Sequence, residues 1–180
     1  MGADPFALLG SRRVARLTFL TVDREYRMGE KGWMARDVVR HPGSVVIVPW
    51  DGERILFIRQ YRTPVARAVL ELPAGKLDVP GEPPEATAMR EAVEEIGRRP
   101  GALSLLHTVL ASPGFTDERS WIYLAEDLEV VSASPQGVEE ESAQVIGLTL
   151  AEVATALADG TLEDATTLIG VYAALDRLSR

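Results

Sequence analysis

The chain contains no cysteine, which excludes disulfides, thiolate metal sites and cysteine nucleophiles together. Only two histidines are present, His41 and His107. That is too few for a polyhistidine metal site and a poor basis for a Ser–His triad, so any metal must be held by oxygen. Long apolar runs are missing as well, since no stretch approaches the roughly 18 residues needed to span a bilayer. The first six residues, Met1 to Phe6, include an acid and a proline and lack the apolar core of a secretory signal. Phe6 stands where a myristoylation motif needs Ser or Thr. A cytoplasmic protein is expected, without a membrane partner. Basic charge is also scarce: 19 Lys and Arg face 27 Asp and Glu, a net charge of -8. Such a surface repels phosphate backbones and argues against a nucleic-acid partner.

What remains is the composition of an ordinary globular chain, 180 residues with 46% hydrophobic and 26% charged. The first forty residues read as short strands, Ala15 to Val22 and Trp33 to Arg40, with glycine turns near Gly29 and Gly32. They are too thin to bury a core alone and are expected to lean on the rest of the chain or on a second copy. Val45 to Trp50 and Glu53 to Gln60 flank Asp51-Gly52, which predicts a β-hairpin. A further strand, Val69 to Leu72, runs into Pro73-Ala74-Gly75.

From Pro83 to Ile96 the period changes. Ala86, Met89, Val93 and Ile96 recur at spacings of three and four, predicting a one-sided helix with prolines in its first turn and Gly97 past its end. Strands are expected again at Leu103 to Leu110 and Ser120 to Leu124. Helices are expected from Thr149 to Asp159 and from Thr166 to Leu178. The fold class is α+β.

The run that carries chemistry is Gly75, six residues, Glu82, seven residues, then Arg90-Glu91-Ala92-Val93-Glu94-Glu95-Ile96-Gly97. Glu91 and Glu95 are four apart and share a helical face, with Glu94 beside them, opposite Met89, Val93 and Ile96. Clustered carboxylates repel unless a cation sits among them. Oxygen-only donors select Mg²⁺ or Mn²⁺, and Mg²⁺ sites commonly combine a few carboxylates with substrate phosphate. Arg90 can orient a neighbouring carboxylate through a forked ion pair. Arg90 to Glu95 alone is compatible with a solvated acidic face. Seven fixed Gly, Glu and Arg positions together match by chance on the order of once in 10⁸ starting points.

This pattern resembles the signature of the Nudix hydrolase family. It departs by one extra residue between Gly75 and Glu82, in a loop before the helix, and by Arg98 where the family has an aliphatic residue. The resemblance spans about Arg36 to Leu178. It implies an α/β/α sandwich and hydrolysis of a nucleoside diphosphate linked to another group, with divalent metals polarising the diphosphate. It further implies Glu91 and Glu95 as principal metal ligands, Glu94 as an auxiliary member, and the Ala74 carbonyl as another ligand.

Three further stretches are similar to ADP-ribose pyrophosphatases within the family. Glu71 to Gly75 resembles the entry to the signature. Ser112-Pro113-Gly114-Phe115 carries a proline sixteen residues beyond Gly97. Arg59-Gln60-Tyr61-Arg62 resembles a motif whose last arginine contacts the diphosphate. The resemblance also implies a loop glutamate as general base, aligned to Glu139 in the run Glu139 to Glu141, with Glu141 as an extra metal ligand. Relatives of this kind are homodimers whose N-terminal strands are exchanged and complete the partner's substrate site. Residues 1–42 are accordingly expected to form a dimerisation region and 43–180 the hydrolase domain. Arg36 is then a phosphate or ribose contact, and Tyr26 or Trp33 an adenine stack. The expected reaction is Mg²⁺-dependent cleavage of ADP-ribose to AMP and ribose 5-phosphate. Another nucleotide sugar or dinucleotide as substrate, or a non-catalytic ADP-ribose-binding module, are the alternatives.

Overall fold

A computed structural model describes residues 4–133 and 142–179. The chain divides into two compact units, one of residues 1–43 with 110–119 and one of residues 44–109 with 120–180.

The first unit is a three-stranded antiparallel sheet of β1 (Ala7–Arg16), β2 (Thr21–Gly29) and β3 (Gly32–Arg40). β2 and β3 pair in unbroken register from Thr21 opposite Arg40 to Gly29 opposite Gly32. The single strand expected over Ala15 to Val22 is instead the end of β1, a turn and the start of β2, where Leu17 N–H bonds the Leu20 carbonyl at 2.8 Å. Hydrophobicity in that stretch belongs to the turn, which strand propensity alone does not separate from the strands beside it. Among its described residues the unit contributes no hydrophobic side chain to the buried core, and those buried are Asp23, Glu25 and Thr116. Asp23 is paired with Arg13 and Arg40, and Glu25 with Arg27 and Arg40. Arg40 also reaches Asp117 at 3.0 Å.

The second unit holds the core. β4 (Ser44–Pro49) lies between β7 (Ala74–Lys76) and β10 (Arg119–Glu126), with β9 (Ala102–Leu110) on the outer side of β10. β5 (Arg54–Arg62) lies between β6 (Arg67–Glu71) and β12 (Gln144–Thr149). A small ladder joins β8 (Arg98–Arg99) to β11 (Glu129–Val130). The Asp51-Gly52 turn forms, with Asp51 Oδ1 accepting from the Glu53 and Arg54 N–H groups at 2.9 and 2.7 Å. The expected hairpin does not. Beyond the Trp50–Ile55 bridge, β4 and β5 enter different sheets. Both runs are apolar at successive positions rather than alternating, and such strands satisfy both faces only as the centre of a covered sheet.

Those two faces sort into layers. Val45 and Ile47 pack with Tyr123, Ala125 and Ala88 of α1 (Pro84–Ile96). Val46 and Val48 pack with Ile122, Leu124, Val153 of α2 (Leu150–Ala158), and Val171 and Ala174 of α3 (Ala165–Leu178). The sheet carrying β4 thus has helices on both sides, the α/β/α order that the resemblance implies. α2 begins with a reciprocal capping box between Thr149 and Glu152. Among the described residues, no helix is long and apolar enough to cross a membrane.

One bond ties α3 to the strand that leads into the signature. Buried Thr167 Oγ1 accepts the Leu72 N–H at 2.9 Å. Thr167→Val keeps the shape and strands that donor, and is expected to cost about 1–3 kcal/mol in chemical denaturation.

Candidate active site

α1 is bounded by local chemistry. Pro83 at the N-cap has extended backbone (φ -73°, ψ 153°), and Pro84 occupies the first turn, where its missing N–H is harmless. Gly97 ends the helix at φ 60°, and its N–H bonds the Ala92 and Val93 carbonyls. Arg98, the departure from the family pattern, donates to the Gly97 carbonyl at 3.0 Å, placing a cation at the negative end of the helix.

The buried stripe differs from the expected one. Ala86 is exposed and Met89 and Val93 are half-buried, while Thr87, Ala88, Glu91, Ala92 and Ile96 are buried. Two alanines one turn apart let the helix lie close on β4, and that rotates Glu91 inward. Of the face expected opposite the glutamates only Ile96 is buried.

Arg90 organises the acids. Its Nη1 donates to Glu91 Oε1 and Glu94 Oε2, each at 2.8 Å, and its Nη2 donates to Glu82 Oε2 at 3.2 Å. The three carboxylate side chains are only 11–18% exposed. Burial disfavours the charge on Arg90, but Glu82, Glu91 and Glu94 outweigh it and raise its pKa further. Arg90, and after it the Thr87 hydroxyl at 2.8 Å, hold Glu82 below the ordinary carboxylate range. Glu95 Oε2 accepts the Ala74 N–H at 2.9 Å. Ala74 and Gly75 are fixed on β7 by pairing with Val46 and Val45. A Cβ on Gly75 would overlap the Glu91 carboxylate, so the missing side chain is what lets that acid lie against the backbone next to Ala74.

Sequence reasoning read Glu82 as part of the signature and assigned it no task. Its place here is to hold Arg90, with Thr87 holding Glu82 in turn. The five-residue interval between Glu82 and Thr87 was the only signal for that pair.

Among the described residues, no three carboxylates or imidazoles converge into a ready metal cage. The donors nonetheless fit a hard divalent cation. They are all oxygen, buried at Glu91 and half-buried at Glu94 and Glu95, and Mg²⁺ sites keep positions for water and substrate phosphate rather than requiring an all-protein cage.

The remaining predicted residues lie as follows. Arg62, at the end of β5, donates its Nε to Glu71 Oε1 at 2.7 Å. In the first unit, Arg36 is exposed on β3 and bonds the Ala35 carbonyl at 2.8 Å, and Tyr26 is half-buried on β2. Trp33 is 67% exposed. Pro113 is exposed in a turn closed by the Phe115 N–H on the Ser112 carbonyl at 3.1 Å. Glu139, Glu140 and Glu141 lie outside the described residues.

A model of the NUDIX domain matches residues 40–168. An ADP-ribose pyrophosphatase of Bacillus subtilis is 36% identical over 137 residues, covering 76% of this chain and 74% of that one. An ADP-ribose pyrophosphatase of Mycobacterium tuberculosis is 38% identical over 151 residues, covering 83% and 72%. The crystal structure of an ADP compounds hydrolase superposes with a TM-score of 0.87 at 24% identity, over 99% of this chain and 97% of that one.

Two outcomes test this geometry. Gly75→Ala is expected to leave the fold intact while pushing the Glu91 carboxylate aside, which should weaken divalent-cation affinity measured by calorimetry about tenfold or more. The second concerns acid. Because Glu82 titrates below its ordinary 4.5 when folded, its contribution to stability is complete above 4.5 and is lost as pH falls through the lower folded value. Arg90→Gln removes the largest cause of that depression. The acid-unfolding limb of the metal-free variant, followed by circular dichroism, should therefore begin at higher pH than in the parent.

Proposed function

The chain belongs to the Nudix family, and from that premise we propose that it hydrolyses the diphosphate of ADP-ribose to AMP and ribose 5-phosphate. The observation that carries this reading is the complete, half-buried carboxylate set around Arg90, with Glu95 on the Ala74 N–H. A module that only bound nucleotide would have no use for four buried or half-buried acids held in register. The substrate assignment draws on the two ADP-ribose pyrophosphatases, which share more than a third of their aligned residues with this chain.

Glu91, Glu95 and the Ala74 carbonyl would hold the divalent cation, Mg²⁺ or in its place Mn²⁺, with Glu94 auxiliary and Glu141 a further ligand by sequence register. When bound, such ions supply Lewis-acid polarisation of the diphosphate and lower the pKa of a coordinated water. Arg90 keeps Glu82, Glu91 and Glu94 oriented before the cation arrives, which lowers the reorganisation needed on binding. Glu139, assigned by sequence register alone, removes a proton from the attacking water. Arg62 meets the diphosphate with its terminal nitrogens, a forked contact suited to phosphate oxygens.

Residues 1–42 are assigned to a homodimer in which Tyr26 and Arg36 complete the partner's substrate site, the remaining residues forming the hydrolase domain, with Pro113 from the 112–115 turn beside the substrate. Support comes from the first unit, whose sheet buries no apolar side chain yet leaves Leu8, Leu9 and Trp33 more than half exposed. It also carries eight of the 19 basic residues and five of the 27 acidic ones in positions 1–43, so its charge complements the acidic remainder.

A coupled phosphate-release assay should show ADP-ribose turned over faster than GDP-mannose, NADH or diadenosine polyphosphates, and only with Mg²⁺ or Mn²⁺ present. Glu95→Gln, with a normal circular dichroism spectrum, should lower kcat on the order of a hundredfold or more. Preference for another compound in the panel would refute the substrate assignment, and near-normal turnover of the variant would refute the metal site.

A further inference from the structure

Glu71 is a buried carboxylate, 6% exposed, at the end of β6. Its neighbours in the chain and across the ladder are apolar: Leu72 at 1% and Ile58, its strand partner, at 1% exposure. A charge in such surroundings is costly unless it is paired and hydrogen-bonded. Two donors meet that need. Gln60 Nε2, itself on a side chain only 4% exposed, donates to Glu71 Oε1 at 2.7 Å, and Arg62 Nε donates to the same oxygen at 2.7 Å.

Ile58, Gln60 and Arg62 alternate along one face of β5, and Glu71 lies opposite the first of them. The carboxylate is thus reached diagonally by the next two side chains of that face. Buried ion pairs of this sort are commonly replaceable by apolar residues without loss of stability. Stability alone therefore does not account for this one.

The geometry supplies another account. A guanidinium presents its donors in a rigid planar fork. With Nε engaged by Glu71, the plane of the guanidinium is set, and the terminal nitrogens carry its remaining donors. Arg62 makes no other hydrogen bond among the described residues, and its side chain is 39% exposed. Glu71 also stands three residues before Ala74, whose N–H holds Glu95, and the intervening Leu72 and Pro73 are pinned by Thr167 and by the Ile47 N–H. One short, fixed run of backbone links the arginine's anchor to the carboxylate helix.

We propose that Glu71, clamped by Gln60, is a positioning residue that holds the Arg62 guanidinium in the orientation that receives the diphosphate of the substrate. This rests on the assignment of Arg62 as the diphosphate contact. Glu71 does not touch substrate. It acts by ordering a long side chain before binding, so that the ordering cost is not met at the moment of association.

The test is steady-state hydrolysis of ADP-ribose at saturating Mg²⁺ by the full-length chain and by Glu71→Met, Glu71→Gln, Arg62→Ala and the double variant Glu71→Met with Arg62→Ala. Thermal melting confirms that each is folded. Glu71→Met should raise KM about three- to tenfold with little change in kcat, the range expected for releasing one ordered side chain. Glu71→Gln, which keeps an acceptor for Arg62, should fall between it and the parent. The double variant should be no worse than Arg62→Ala alone.

Three results overturn the proposal. A lower KM for Glu71→Met would mark Glu71 as a negative charge that merely repels the anionic substrate. An unchanged KM with a lower melting temperature, or losses that add in the double variant, would mark it as structural. Both of these leave the Arg62 assignment standing if Arg62→Ala is impaired, whereas an unimpaired Arg62→Ala overturns that assignment and the proposal with it. Should Glu71→Met fail to fold, Gln60→Met carries the same expectations, because freeing Glu71 from its clamp frees Arg62 in turn.

Discussion

One guanidinium sits among three carboxylates that would otherwise drive one another apart. Glu91 and Glu94 lie within a turn of Arg90 on α1, Glu82 comes from the preceding loop, and all three meet the nitrogens of Arg90 in a half-buried place. Desolvating three anions beside a single cation is poor economy for a fold whose only concern is stability, since apolar replacements of buried ion pairs are often neutral or better by about 1–4 kcal/mol. The arrangement makes sense as a place kept negative for a further cation. Gly75 supports it by surrendering its own side-chain volume to Glu91, and Ala74 by giving its N–H to Glu95.

The rest of the second unit serves to hold that helix against its loop. β4 is covered on both faces, so its register with β7 is determined by packing as well as by hydrogen bonds. Ala88 and Ala92 allow α1 to approach the sheet closely, and α3 reaches across with Thr167 to bind the backbone just before Pro73. The segment from Glu71 to Gly75 is consequently anchored at each residue that matters. Leu72 is held by α3, Pro73 by β4, and Ala74 by α1 and β4. A displaced anchor at one end of this run would be felt at the other.

The first unit follows a different economy of burial. Among its described residues the buried side chains are polar, Asp23 and Glu25 tied to Arg13, Arg27 and Arg40 along and across the sheet, and many of its large apolar residues are exposed. A sheet of this kind gains little from an apolar core of its own and rests on its strand pairing and ion pairs.

How much of this the sequence determined by itself follows from the range of each force. Caps and turns depend on neighbouring residues, so Pro83, Gly97 and the Asp51 turn were legible as local chemistry. The spacing of Gly75, Glu82, Arg90, Glu91, Glu94 and Glu95 was legible for the same reason, because helical periodicity alone puts the acids together. Everything that depended on pairing between distant segments was not. The Asp51-Gly52 turn forms as expected, yet its flanking strands separate, because each finds a better-covered place in another sheet. The buried face of α1 runs through Ala88 and Ala92 rather than Met89 and Val93, because closeness of approach to β4, not side-chain size, chose it. The bonds from Gln60 and Arg62 to Glu71 join residues eleven and nine apart across a strand pair. Tertiary structure decided these points, since burial and strand partnership are properties of the assembled chain and have no signature in any single stretch of it.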